Sequence, residues 1–310
     1  LRPGQIVRPE SGRRARLLLP PEGLSVAVED VCFEDIDFVA SRSLDRPNAG
    51  DSPRAVIRLG AARAVFRGCS FQAASEGNTL PVAIAWLPWT DSATASLSLP
   101  SGRVRVTGCL FQRVDAAIES RALGALTIDL ANCLHLGRGP LLRVAHYPGP
   151  DEPMRIAMSR LTLRDSDAVI AFSDGPVADR SGEISVEATA CVFAPRRGAA
   201  LLLFGTSGSP EPLLRGIRWT GQGSLVTPGI EIATWRSTTG IERILDDTSI
   251  AIAGMVRSSV QFAGDARQVP AGSKVLRWQA PLQSVESPGA AVERIPSPDP
   301  SLQSGHPDKR

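Results

Sequence analysis

The carboxylates most nearly arranged for acid–base chemistry are Asp37, Asp115 and Asp167, which sit six residues after Val31, Cys109 and Leu161 in a recurring pattern. Cleaving a glycosidic bond takes two such groups, about 5–5.5 Å apart for a covalent intermediate or about 6.5–9.5 Å apart for direct attack by water. At the same offset the other repeats carry Ser75, Gly139 and Arg197, so the aspartates alternate with different residues. In a stack of strands that alternation sets them about 10 Å apart, beyond either geometry. Turn-forming aspartates at a corner are the simpler reading. If a catalytic site exists, Asp115, Asp167 and Asp174, with Trp86 or Trp89, are the residues from which it would be built.

The remaining reactive side chains are less suggestive. Asp246 and Asp247 are adjacent, and a strand would send them to opposite faces. Four of the five cysteines, Cys69, Cys109, Cys133 and Cys191, fall on an inward position of the repeat, and Cys32 falls on the outward spacer. Free, buried thiols acting as small hydrophobes are expected there. A Cys109–Cys133 disulfide would join neighbouring repeats, but side chains pointing in parallel make its torsion unfavourable. No Cys-x-x-Cys spacing suggests zinc. His135 replaces a Phe or Leu of the pattern, which points to a buried neutral imidazole rather than a metal ligand. His146 and His306 lie in loop or tail. The sequence holds no phosphate loop, no Ser-His-Asp spacing and no strong calcium loop, so neither cofactor nor metal is expected.

The elements that must position these groups are spelled by a ladder: Val31-Cys32-Phe33, Cys69-Ser70-Phe71, Cys109-Leu110-Phe111, Cys133-Leu134-His135, Leu161-Thr162-Leu163 and Cys191-Val192-Phe193. Each unit is an apolar residue, a spacer and then a large residue, so its first and third side chains share one face of a strand. A Gly or short polar residue precedes four of the six (Asp30, Gly68, Gly108, Asn132); Arg160 and Ala190 precede the others. Short β-type stretches such as Val104–Val106 and Leu126–Leu130 come before the units. A second apolar stretch follows each, as at Ala117-Ile118, Leu141-Leu142, Val169-Ile170 and Leu201-Leu202. Successive units lie 38, 40, 24, 28 and 30 residues apart. A floor in the twenties with variable extra length is the mark of a solenoid whose cross-section fixes the coil while corner loops absorb insertions. Equivalent residues should stack, Phe71 on Phe111 and Cys69 by Cys109.

This ladder, over roughly residues 24–226, resembles the pectin-lyase-like superfamily of right-handed parallel β-helices at the level of architecture. The resemblance implies an all-β, right-handed, single-stranded parallel β-helix with an irregular C-terminal cap. Family enzymes cleave polysaccharides with clustered carboxylates, sometimes with calcium and a basic residue. The outward spacer column here reads Cys32, Ser70, Leu110, Leu134, Thr162 and Val192, without a carboxylate, which departs from that pattern.

Three regions are expected: a β-helix with its entering strand over 1–226, a β-rich cap packed on it over 227–282, and a disordered tail or linker over 283–310. Pro- and Gly-rich inserts at 41–54, 88–102, 145–153, 173–182 and 205–212 mostly follow the second apolar stretch and so should emerge along one edge. Leu110, Leu134 and Val192 would form an apolar stripe on the outer surface, either an interface or a bed for the cap around Trp278. Composition narrows the partners: 43% hydrophobic and 21% charged residues suit a folded chain, while 5% aromatics and one tyrosine are few for gripping sugars or bases. With a net charge of +2 and scattered arginines, nucleic acid is not an expected partner. No apolar run reaches the ~20 residues of a membrane span. The chain opens at Leu1 without a signal-peptide pattern, as expected of a processed product or a region of something longer.

Together these features lead us to expect a non-enzymatic interaction or display module of a larger bacterial-type protein, exported or at the cell surface. It would bind a protein or polysaccharide partner through its edge loops or through Leu110, Leu134 and Val192. A carbohydrate-active enzyme, lyase or hydrolase, with its site among the edge loops is the first alternative. A sensor region of a kinase-linked or receptor chain is the second.

Overall fold

The computed structural model describes residues 2–10, 13–20, 22–40, 54–73, 81–87, 101–121, 124–173, 182–205, 211–237, 240, 242–245, 252–265, 269–279 and 287–297. The chain winds into a parallel β-solenoid. Its three walls are sheets of eight, nine and nine strands, and each complete coil contributes one strand to each. The coil from Gly102 shows the plan: Gly102–Thr107 in the first sheet, Leu110–Gln112 in the second and Ala116–Ser120 in the third. First-sheet strands alternate buried and exposed side chains, as in Met154–Ser159 and Ile184–Thr189, the pattern of a wall with one wet face. In the third sheet Val82–Trp86 and Ala116–Ser120 are buried on both faces.

The corner between the first and second walls explains the residue that precedes each ladder unit. Gly68, Gly108, Asn132, Arg160 and Ala190 all adopt left-handed backbone, with φ between 50° and 63°. A single residue there redirects the chain sharply. Glycine does this without steric cost, Asn at little cost, and Arg or Ala only because the stacked strands on either side impose the bend.

The first ladder unit is corrected by this corner. The left-handed residue of that coil is Asp35, φ 54°, not Asp30, and the register pairs Asp37 with Ser70 and Phe38 with Phe71. Val31, Cys32 and Phe33 instead belong to the first sheet, opposite Ala64, Val65 and Phe66. Two apolar-x-Phe triplets five residues apart both fit the pattern, and only strand pairing separates them. Asp37 therefore leaves the proposed aspartate column, and its carboxylate binds Arg14 at 2.6 Å and Ser70 Oγ at 2.6 Å.

Inside, like residues sit on like. Phe38, Phe71 and Phe111 form a stack with ring centroids 5.1 Å apart at each step, and His135 follows at 6.5 Å. Phe172 and Phe204 stack at 4.9 Å on the third wall. Cys69, Cys109, Cys133 and Cys191 are buried, free thiols. Each Sγ–H turns back to a corner carbonyl, such as Thr107 O for Cys109 at 3.4 Å and Ala131 O for Cys133 at 3.3 Å. Ser224 continues the column one coil on, donating to Ala188 O at 2.9 Å. Burial pushes the thiols of Cys133 and Cys191 up to about 12, so they are inert.

The walls run on past residue 226. Glu231–Arg236 extends the third sheet, and Met255–Arg257 extends the second. Glu242–Leu245 then pairs antiparallel with Glu231–Arg236, closing that edge against further parallel addition. The hairpin of Val260–Phe262 and Val275–Trp278 folds back and is pinned by Arg164. That guanidinium donates to Gly264 O and Gly272 O at 3.2 and 2.9 Å and lies 4.0 Å over the Phe262 ring. Residues 287–297 of the expected disordered tail are packed on the solenoid as well, with Ile295 buried.

Phe111 lies between Phe71 and His135 with no exposure, so Phe111→Ala should cost roughly 3–5 kcal/mol in urea unfolding. His135 is fully buried; Nε2–H donates to Gly139 O at 2.9 Å, Nδ1 has no partner, and burial lowers the imidazole to about 4. The unfolded chain takes up this proton near pH 6.5, whereas the folded chain refuses it until about pH 4. Stability is therefore full above 6.5 and falls between 6.5 and 4, by about 3 kcal/mol from this residue. In His135→Leu, unfolding at pH 7.5, 5.5 and 4.5 should show that part of the acid loss removed.

Candidate functional site

The three outer faces of the solenoid differ in chemistry. On the first, cross-strand ion pairs tile the surface. Arg63 binds Asp30, Arg67 binds Glu34 at 2.5 Å, Arg103 binds Asp129 at 2.6 Å and Arg155 meets Glu187 at 3.4 Å. A shallow depression of about 180 Å³ lies among Asp129, Ala157, Ser159 and Glu187. Its two carboxylates stand one strand either side of Ala157, and each is held by its own arginine. The spacer column of the ladder could not announce them, because that column belongs to the second wall. Cys32 also faces out here, its Sγ 3.6 Å from Glu34.

The second outer face carries the stripe, and there the expectation of an exposed surface fails. Leu110, Leu134 and Val192 have no exposure. Ile295, Val269 and Ala290 pack with Leu110, Leu134 and Leu136. Of the two readings of the stripe, a bed for the chain's own C-terminal region is the one observed, with residues 287–297 and Val269 packed on it. Transferring those leucines out of water is reason enough for the cover to form.

The third face carries the charged cluster. Glu119 points outward yet its side chain is only 4% exposed, between Arg121 Nε at 2.6 Å and Arg143 Nη1 at 3.0 Å. The same Arg143 Nη1 reaches Asp115 Oδ2 at 2.9 Å, and Nη2 donates to the Asp115 carbonyl. Burial works against the Arg143 charge, but the hydrogen bond and charges of Asp115 and Glu119 outweigh it and raise its pKa. One corner further, Asp167 Oδ1 lies 2.6 Å from Arg196 Nε, an ion pair without hydrogen-bond alignment. Burial raises the Asp167 carboxyl above the usual range, only partly offset by Arg196, Arg236 and Arg138. Between Asp115 and Asp167 stands Gly139, where a Cβ would collide with the Asp115 carbonyl oxygen. That close approach lets the coils stack while leaving a gap in the side-chain column.

Of the residues singled out from sequence, Asp115 and Asp167 are brought to one border, two coils apart, each on an arginine. Trp86 is not a surface at all: it is 1% exposed and donates to Ala61 O at 3.0 Å. Asp174, Trp89, Asp246 and Asp247 lie outside the described residues. Glu119, Arg121 and Arg143 were missed. A signal existed, because Glu119 and Arg143 are 24 residues apart, the interval that separates Cys109 from Cys133, and the register pairs them. Among the described residues no group of His, Cys, Asp and Glu could hold a metal ion, and no helix is long and apolar enough to cross a membrane.

Arg143→Met should cost about 2–3 kcal/mol at neutral pH, since it strips one counter-charge from a buried carboxylate, with a discount for its partial exposure. The double variant Arg143→Met/Glu119→Gln should recover much of that loss in urea unfolding, because a neutral amide needs no counter-charge. No protein-family model, curated protein or solved structure is significantly similar to the chain.

Proposed function

We propose that the chain is a non-enzymatic parallel β-helix module of pectin-lyase-like type that engages a protein or polysaccharide partner through the loops bordering its third sheet. The observation that carries this reading is the unequal use of the three outer faces. The first spends its charges on its own ion pairs, and the second is covered by its own C-terminal segment. In sequence, the inserts 88–102, 145–153, 173–182 and 205–212 follow third-sheet strands, and 41–54 precedes the third-sheet strand Ala55–Gly60. A rigid wall with variable loops along both borders is the usual arrangement of a binding surface. The Glu119–Arg143–Asp115 network beneath would hold the loop roots at fixed spacing.

A carbohydrate-active enzyme is the second reading, and the raised carboxyl of Asp167 favours it, since perturbed acids cluster at catalytic sites. Against it, Asp115, Glu119 and Asp167 are each already engaged by a guanidinium of the chain itself. Incubation with acidic and neutral polysaccharides should release no new chain ends, while retention on one of them should be lost when residues 88–100 are replaced by a short Gly-Ser linker. Turnover that disappears in a folded Asp167→Asn variant would overturn the proposal in favour of the enzyme.

A further inference from the structure

The segment 287–297 lies on the second sheet in the manner of a ligand. It runs back along the corner column, against the direction of winding. Three consecutive amides are read by three different coils: Gly289 N donates to Ala190 O at 2.7 Å, Ala290 N to Thr162 Oγ1 at 2.8 Å and Ala291 N to Asn132 Oδ1 at 2.7 Å. Two of these acceptors are side chains, so the contact is side-chain recognition of a backbone rather than addition of a strand. Thr162 is a spacer residue of the ladder and Asn132 one of its left-handed corners, so each acceptor is supplied by a different coil.

The side chains of the segment are sorted as in a groove. Pro288, Val292, Ile295 and Pro296 are buried, whereas Glu293 and Arg294 are exposed. Ile295 fills the space among Leu110, Leu134 and Leu136, and Val269 forms part of the opposite wall. Position 289 admits only glycine. Its φ is 88°, and a Cβ would come within 2.6 Å of Thr162 Oγ1 and 3.2 Å of Val192 Cγ2. The face thus selects Gly-Ala-Ala-Val, two solvent-facing residues of any kind, then Ile-Pro.

We propose that the outer face of the second sheet is a peptide-binding groove, filled in cis by residues 287–297, that accepts the same segment from a second copy of the chain. The second copy is the occupant because the complementarity already in place is for this sequence. Only residues 280–286 join the segment to the hairpin. That short tether gives the cis segment an effective concentration on the order of millimolar, so exchange between copies needs crowding on a surface or a weakened cis contact. This surface is separate from the third-sheet loops, and binding there is independent of them.

The test uses the full chain with Ile295→Asp, which weakens the cis segment at a residue outside the solenoid interior. A fluorescent peptide of residues 287–297 should bind this variant at least tenfold more tightly than the unaltered chain, and the Gly289→Ala peptide should bind at least tenfold more weakly than the native peptide. A folded variant that binds neither peptide, or both equally, overturns the groove. Hydrogen exchange of the unaltered chain decides the matter independently should the variant not fold. Amides of Ala290 and Ala291 should exchange at least tenfold faster than those of Ile128 and Ile156, by local release. Exchange of all four only through global unfolding would make the segment part of the core and end the proposal. A dimer of the unaltered chain that forms at high concentration and is dissolved by the free peptide would support exchange between copies.

Discussion

Parallel strands ~4.8 Å apart oblige each side chain to sit beneath its counterpart in the next coil, and the rest of this molecule follows from that repetition. A residue here is judged against its column. Phe38, Phe71 and Phe111 form one continuous aromatic pile, and the cysteines form another, each thiol tethered to a corner carbonyl. Exceptions to a column become informative. His135 interrupts the aromatic pile and accepts the loss of its charge, with its Nε2–H satisfied by the Gly139 carbonyl.

The same rule acts on the outer faces, with different results because water competes there. Charged columns on the first wall settle into ladders of opposite sign, each pair worth little by itself since both partners remain hydrated. An apolar column cannot do this, and Leu110 and Leu134 recruit the chain's own C-terminal segment. On the third wall a carboxylate, Glu119, is buried and must be fully compensated, which Arg121 and Arg143 do from its own strand end and from the next coil. The Pro- and Gly-rich inserts lie next to third-wall strands in the sequence.

Corners carry the strain that the walls avoid. Left-handed backbone at Arg160 and Ala190 costs more than at Gly68 or Gly108, yet all four turn alike. The parallel ladders on both sides leave the chain no other route between walls. One corner residue also has a second role: the Asn132 side chain accepts the amide of Ala291 and so links winding to the covering segment.

The amino-acid sequence by itself determined the solenoid, its apolar interior, the buried cysteine column and the Phe71–Phe111 stack, because these are periodic and every coil repeats the statement. It failed where one coil offered two equivalent statements: Val31-Cys32-Phe33 and Ile36-Asp37-Phe38 fit the pattern equally, and hydrogen-bonded register chose the second. The pairing of Glu119 with Arg143 was present in the 24-residue interval but lies on a wall buried on both faces, where no alternation marks the outward positions. What only the tertiary structure decided was contact without periodicity. Ile295 and Gly289 meet Leu134, Thr162 and Val192 once, across about a hundred residues or more, and Arg164 grips the hairpin in the same way. No repeat announces such a contact, since it depends on where the last coil releases the chain and on which outer face still holds unburied apolar surface.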